Sequence, residues 1–341
     1  MPKVFITRQI PDQGIKMLKD KKYSVSVYPK DEIIPRAALL KGVKGVDALL
    51  PILTDHIDAE VLEAAGAQLK IIANYAIGTD NIDLQACQKR KILVTNAPGP
   101  EIVQSVAEHT FALMLALAHR IVEADKFTRA GKYRGWGPQI LLGTDVYGKT
   151  LGIVGLGRIG FAVADRAVKG FGMQIIYHDK ERDLKFERDF SAYGGSASGG
   201  EKQYGARFVD LSTLLKQADF VSLHVPFLPS TRHLISTREL ALMKPTAFLI
   251  NTARGPIVDE KALLQALEKK QIAGAALDVF ECEPSIDCDI SDHLELKSFD
   301  NVILTPHTAS ATVETRQAMS ATAAQNIIAA LEGETPSNLV K

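Results

Sequence analysis

Four apolar runs in the second half of the chain end in polar residues: His224-Val225-Pro226, Asn251-Thr252-Ala253-Arg254-Gly255, Asp278, and Thr305-Pro306-His307. Ligands of open parallel sheets bind outside the carboxyl ends of the strands, so four such ends converging on one crevice mark a site. Taken singly, His224 reads as a turn residue and Asp278 as a helix cap; the joint pattern is harder to dismiss. Arg254 offers a guanidinium that stays charged at any working pH, and its planar fork can hold a carboxylate and the neighbouring carbonyl oxygen together. His307 suits proton donation and acceptance, since its unperturbed pKa of ~6.5 lies near neutrality. Glu283 is the candidate carboxylate beside it, able to favour the imidazolium and hold the ring in one orientation. A fixed cation, a proton donor and a dry site are what hydride transfer between a 2-oxo acid and a nicotinamide requires.

A glycine motif supplies the nucleotide end of that chemistry. Gly155, Gly157 and Gly160 form G-x-G-x-x-G directly after the apolar run Thr150 to Val154 and before a helical pattern. The first glycine permits a tight turn, the second lets backbone N–H groups approach a pyrophosphate, and the third lets the helix pack on the strand. Asp179 lies nineteen positions beyond Gly160 (179 − 160 = 19) and closes the next strand. An acid there accepts hydrogen bonds from an adenosine ribose and repels a 2′-phosphate, which points to NAD. Lys180 and Arg182 nearby leave NADP as a weaker alternative.

The elements that must position these residues alternate along the whole chain. Short apolar runs interleaved with helical periodicity predict an α/β protein with parallel sheets covered on both faces. Strands are expected near 3–7, 23–28, 47–51, 70–75 and 92–95, with helices such as Asp58 to Ala65 between them. A helical pattern runs from Glu101 to about Ala130, followed by a Gly-rich stretch. The second unit has strands at 150–154, 173–178, 219–225, 246–251, 273–277 and 301–304, and helices at 158–170, 210–217, 259–270 and 312–332. The last helix has no further strand to cover there, so it is expected to return to the first unit. The segment Ser191 to Lys202 reads as a flexible surface excursion.

Composition narrows the partners. The chain has 341 residues, 46% of them hydrophobic, enough for two domains, and 40 basic residues balance 40 acidic ones. Without a net field, neither nucleic acid nor a membrane surface is an expected partner. The apolar run Phe111 to Ala118 is far short of the ~20 residues that span a bilayer. Val4, Phe5 and Ile6 open a strand with no leader before them, and a cytoplasmic location is expected. Cys87, Cys282 and Cys288 show no C-x-x-C spacing, so neither disulfides nor a metal site is expected.

Six stretches carry a family resemblance: NYAIGTDNID (74–83), SVAEHTFALMLALA (105–118), GKTLGIVGLGRIG (148–160), NTARGPIVDE (251–260), ALDVFECEP (276–284) and TPHTASAT (305–312). Together they resemble the D-isomer-specific 2-hydroxy acid dehydrogenases over essentially the whole chain, and within that family most nearly the glyoxylate and hydroxypyruvate reductases. The resemblance places the catalytic Arg, Glu and His on Arg254, Glu283 and His307. It puts coenzyme contacts on Arg158, Ile159, Asp179, Val225, Pro226, Thr231, Ala253 and Asp278, with Val106, His224, Thr252 and Ala309 beside them. Backbone N–H groups of Ile77 and Gly78 look like those that hold the substrate carboxylate, and Leu53, Trp136 and Ser310 are further candidates for substrate contact.

The resemblance also implies an architecture: a flavodoxin-like substrate domain from 1–101 and 308–341, a Rossmann-type coenzyme domain from 102–307, and hinges near Glu101 and Ala309. It implies a homodimer formed through the 102–148 region. Trp136, the single Trp, sits where a Trp of the glyoxylate and hydroxypyruvate reductases reaches the neighbouring subunit's active site, although packing at the interface would account for it equally well. Ile77 stands where phosphite dehydrogenase has a Lys, which argues against phosphite. Cys288 and His293 fall in a variable loop and are expected to be functionless. Glyoxylate and hydroxypyruvate rank first among substrates, ahead of the acids of 3-phosphoglycerate and D-lactate type dehydrogenases. A different class, an NAD-sensing corepressor-like binding protein, shares the resemblance; turnover of 2-oxo acids separates the two.

Overall fold

The computed structural model describes residues 1–191, 205–283 and 295–340. The Ser/Gly stretch from 192 onward, Cys288 and His293 lie outside the described residues. The chain divides into two compact units, one of Met1–Ile102 with 310–340 and one of Val103–Glu283 with 295–309.

In the first unit, β1 (Lys3–Ile6), β2 (Ser24–Val27), β3 (Ala48–Leu50), β4 (Ile71–Ala73) and β5 (Leu93–Thr95) form a sheet in the order β2-β1-β3-β4-β5. Every pairing is parallel, which gives the flavodoxin-like order. Both faces of the central strands are covered, so Ala48, Leu49, Leu50, Ile71, Ile72 and Ala73 are all buried and the strands read as unbroken apolar runs. Asp58 starts the helix Ala59–Ala65 by accepting the Val61 N–H. The last helix, Val313–Leu331, packs on this unit. Its Ser320 hydroxyl accepts from Gly14 N at 3.0 Å and donates to Pro11 O at 2.7 Å, and its Arg316 carbonyl accepts from the Tyr75 hydroxyl at 2.7 Å.

The second unit holds β6 (Thr150–Val154), β7 (Gln174–His178), β8 (Ala206–Phe208), β9 (Phe220–Leu223), β10 (Phe248–Asn251), β11 (Gly274–Leu277) and β12 (Val302–Leu304). Their order is β12-β11-β10-β9-β6-β7-β8, again parallel throughout. This is the Rossmann order extended by one strand, with its topological switch point between β6 and β9. Strand direction there carries the chain from β6 into the glycine motif and from β9 into His224.

Two expectations are corrected. The helical pattern from Glu101 to Ala130 is two helices, Pro100–Ala118 and Ile121–Arg129. Arg120 breaks it with a left-handed φ of 52°, and its guanidinium pairs with Glu123 at 2.7 and 2.8 Å. The first helix buries Phe111, Leu113, Met114 and Leu117, whereas the second buries no residue; the chain turns once its apolar face has been spent. Strand β8 has no counterpart among the expected strands. It is a short edge strand paired only with β7 and is not fully buried, so its sequence shows no apolar run.

Candidate active site

Strand β6 leads directly into Gly155, whose φ of 95° lies in the left-handed region that glycine tolerates. A side chain there would also come within 2.7 Å of the His224 carbonyl. Gly157 caps the helix Arg158–Phe171, and a Cβ on it would meet no protein atom within 4 Å. Packing within the chain therefore does not account for this glycine. It leaves the backbone N–H groups of the helix N-terminus bare, the arrangement by which glycine turns of this fold accept a pyrophosphate. A Cβ on Gly160 would lie 2.2 Å from the Gly155 carbonyl oxygen, so this glycine lets helix and turn pack. Asp179, just past β7, accepts from Leu156 N at 2.6 Å and from Lys180 N at 2.6 Å. Its carboxylate is thereby fixed against the glycine turn, where ribose hydroxyls bind in this fold. The residues present fit a nicotinamide dinucleotide.

On the other side of the switch point, His224 is half-buried, with Nε2 2.9 Å from Ser222 Oγ. Burial pushes its imidazole down to about 4, so it is neutral at neutral pH. Thr231 closes the loop that follows: its hydroxyl donates to Pro226 O at 2.8 Å and accepts from Leu228 N at 2.8 Å.

Strand β10 ends in Asn251, which is fully buried and stitches the next turn together. Its Nδ2 donates to Arg254 O at 2.9 Å and its Oδ1 accepts from Ala253 N at 3.1 Å. Arg254 itself is extended, and its Nη1 donates to Ala253 O at 2.7 Å. Thr252 Oγ1 lies 3.1 Å from Thr110 Oγ1, whose own proton goes to Val106 O at 2.8 Å.

Strands β11 and β12 bring Asp278 beneath the His307 turn. The Asp278 carboxylate, wholly buried, accepts from Thr305 Oγ1 at 2.6 Å and from Thr308 N and Ala309 N at 2.8 Å each, with His109 Nε2 at 3.4 Å. Burial alone would raise its pKa; the donors, His109 and Thr305 foremost, outweigh burial and hold the carboxyl below the usual range. The His307 N–H donates to the Asp278 carbonyl at 2.8 Å. His307 has a φ of 53°, a left-handed conformation that costs a residue with a side chain about 1 kcal/mol or more. Hydrogen bonds on both sides of the turn hold it there, as happens where a side chain must be aimed. The outcome is His307 Nδ1 2.6 Å from Glu283 Oε2, both side chains partly exposed. Nδ1 is held by the carboxylate, and Nε2 makes no hydrogen bond among the described residues.

In the first unit, Ile77 and Gly78 occupy the loop after β4. Asn96 Nδ2 donates to the Ile77 carbonyl at 2.8 Å and Asn74 Nδ2 to the Gly78 carbonyl at 2.9 Å. With their carbonyls tethered, the two peptide units have fixed orientations, and among the described residues their N–H groups make no hydrogen bond. Asn81 Nδ2 bridges Ile52 O and Asp55 O at 3.1 Å each, framing Leu53. Ser310 is half-buried at the start of the returning segment.

Several of these supports were not expected from the sequence. His109, Thr110, Asn74, Asn81 and Asn96 all fall inside or beside the conspicuous stretches, whereas Asn251 stands among the polar strand ends. A polar His-Thr pair within the apolar helical run 105–118 was the available signal for the first two. Trp136 is 83% exposed, and Tyr133, Leu142 and Tyr147 nearby are exposed as well.

Among the described residues, no helix is long and apolar enough to cross a membrane. The model of the D-isomer specific 2-hydroxyacid dehydrogenase NAD binding domain matches residues 111–309. A glyoxylate reductase of Thermococcus litoralis is 50% identical over 343 residues, covering 99% of this chain and 96% of that protein. A crystal structure of a Thermus thermophilus protein superimposes with a TM-score of 0.87 at 40% identity, covering 99% and 100% of the two chains. A glyoxylate reductase structure from Paecilomyes thermophila gives a TM-score of 0.82 at 29% identity, over 99% and 98%.

Proposed function

Because the chain belongs to the D-isomer specific 2-hydroxyacid dehydrogenases, we propose that it reduces small 2-oxo acids to D-2-hydroxy acids, glyoxylate first and hydroxypyruvate next. The observation that carries this is the 2.6 Å contact between His307 Nδ1 and Glu283 Oε2, in the unit that also holds the glycine turn and Arg254. A reduced nicotinamide coenzyme, when bound, supplies a hydrogen nucleus with two electrons to the carbonyl carbon. The chain's residues do the rest. Arg254 binds the substrate carboxylate and carbonyl oxygen, and Ile77 and Gly78 offer N–H groups to the carboxylate. His307 gives the proton from Nε2 to the carbonyl oxygen, while Glu283 balances the imidazolium and fixes its plane. Leu53 and Ser310 complete the substrate contacts.

The coenzyme is held by Gly155, Gly157, Arg158, Ile159 and Gly160 at the pyrophosphate, and by Asp179 at the ribose. Val106, His224, Val225, Pro226, Thr231, Thr252, Ala253 and Ala309 line its remaining length, while Asp278, expected as a further contact, is wholly buried and instead holds the 305–309 turn from beneath. NAD is preferred, because Asp179 presents a carboxylate where a 2′-phosphate would lie. Arg182 offers no counterweight, since its Nε and Nη2 are bonded to Glu187 at 2.9 and 2.7 Å. The substrate domain is the unit with the returning helix and the coenzyme domain is the other.

Steady-state rates with NADH and NADPH across glyoxylate, hydroxypyruvate, pyruvate and phosphohydroxypyruvate test the assignment. Turnover of none of them, with peptide binding instead, would replace the enzyme by a binding module. NADPH favoured over NADH would overturn the coenzyme preference alone. Arg254→Ala is expected to lower kcat/KM for glyoxylate by roughly 10² to 10³ while NADH binding changes little.

We also place a second copy of the chain on the exposed apolar residues of 121–147. Ile121, Tyr133, Trp136, Leu142 and Tyr147 lie there, and a solvated patch of this kind marks an association surface. Trp136 then stands in the interface, where it either packs against the partner or reaches its substrate. Light scattering at the dimer mass, lost in Leu142→Glu, checks it. The protein is assigned to the cytoplasm, where a reduced thiol such as the buried Cys87, pushed up to about 11 by that burial, persists.

A further inference from the structure

A second histidine–carboxylate pair stands two residues before Glu283. His233 Nε2 lies 2.6 Å from Glu281 Oε1. The backbone of His233 belongs to a short parallel ladder with the segment after Arg254: His233 N donates to Pro256 O at 2.8 Å, Ile235 N to Ile257 O at 3.1 Å, and Asp259 N to Ile235 O at 2.9 Å. His233 has a left-handed φ of 49°, which lets one residue face both ways. Its main chain holds the turn that carries Arg254, and its ring holds the turn that carries Glu283.

Glu281 is bound on its other sides as well. Its N–H donates to Glu260 Oε1 at 2.5 Å, and its Oε2 accepts from Glu260 N at 3.3 Å. The two turns are in direct contact behind the pair. A Cβ on Gly255 would fall 1.8 Å from the Phe280 carbonyl oxygen, which in turn accepts the Glu283 N–H at 3.0 Å. From Pro256 through His233, Glu281 and Cys282 to Glu283, a chain of short contacts therefore ties the turn that carries Arg254 to the turn that carries Glu283.

We infer that His233 and Glu281 are positioning residues that set the spacing of Arg254 and Glu283, and this rests on the roles given to those two residues above. Neither touches the reacting atoms. Small misplacements are costly in such sites: a shift of about 1 Å can lower the rate on the order of a hundredfold.

The test uses the full chain with NADH and glyoxylate. His233→Leu and Glu281→Leu are each expected to raise KM and lower kcat, with kcat/KM down roughly ten- to a hundredfold, while the NADH dissociation constant stays within about twofold. His233→Gln and Glu281→Gln keep a hydrogen bond between the two positions and are expected to recover most of the loss. In the double variant His233→Leu/Glu281→Leu the losses should not add, since either change alone breaks the pair. Arg254→Ala and His307→Asn are measured beside them. If these two collapse and the Leu variants keep kcat/KM within twofold, the positioning role is wrong while the site stands. If Arg254→Ala and His307→Asn stay active, the site itself is misassigned. Should the Leu variants lose NADH binding and thermal stability in step with activity, and the Gln variants recover nothing, the pair serves folding alone and the inference falls.

Discussion

Two histidines follow parallel strands of one sheet and end in opposite electrostatic settings. His224, after β9, has a hydroxyl partner in Ser222, and burial takes its imidazole down to about 4. His307, after β12, has a carboxylate partner at 2.6 Å and a strained backbone anchored to buried Asp278. Position at a strand end makes a histidine available to a ligand; the partner decides its use. A hydroxyl cannot balance an imidazolium, so His224 is confined to neutral contacts such as those with a coenzyme. A carboxylate can, so His307 can pass through the charged state that proton transfer demands.

The contrast breaks most plainly at His307. His307→Asn keeps a polar group of related shape but no titratable nitrogen, and kcat for glyoxylate should fall by about 10³. Coenzyme oxidation in the steady state reads this directly, and a loss under tenfold would mean that the proton comes from elsewhere. Glu283→Gln is gentler. It leaves an acceptor for the ring but gives His307 the kind of uncharged partner that His224 has. A fall of roughly a hundredfold is expected, with KM little changed because Arg254 is untouched. Equal activity of Glu283→Gln and the parent would show that orientation matters and charge does not.

The same unit shows which features a sequence can disclose. Gly155, Gly157, Gly160 and Asp179 are legible because their duties are local: a turn, a bare helix end and an acid one strand away. Arg254 and His307 are legible by type and by their place after apolar runs, and Glu283 by type and by the stretch ALDVFECEP that carries it. His109 was not, because it meets Asp278 across 169 positions (278 − 109 = 169), and no pattern near either residue announces the partner. Asn74 and Asn96 are hidden for a like reason, since their amides serve the carbonyls of Gly78 and Ile77 and contribute nothing to periodicity. The break at Arg120 escapes because neither Gly nor Pro marks it, and tertiary burial, not propensity, ends the helix.

The smallest expected effect concerns stability and isolates His224. Its folded pKa of about 4 lies below the ~6.5 of an unfolded histidine, so on acidification the unfolded chain takes up the proton first. Stability fully present above pH ~6.5 is therefore lost progressively as pH falls toward 4, by on the order of 2 kcal/mol from this one group. His224→Gln removes the titration and should flatten the fall of Tm over that interval relative to the parent. Asp278 acts in the same direction, because its depressed carboxyl pKa contributes stability that is lost only as pH drops below the ordinary carboxylate range. Melting curves taken above pH ~4.5 keep the two apart. Parallel Tm profiles for parent and variant there would mean that His224 is solvated enough to protonate in the folded protein, and its difference from His307 would then reduce to geometry.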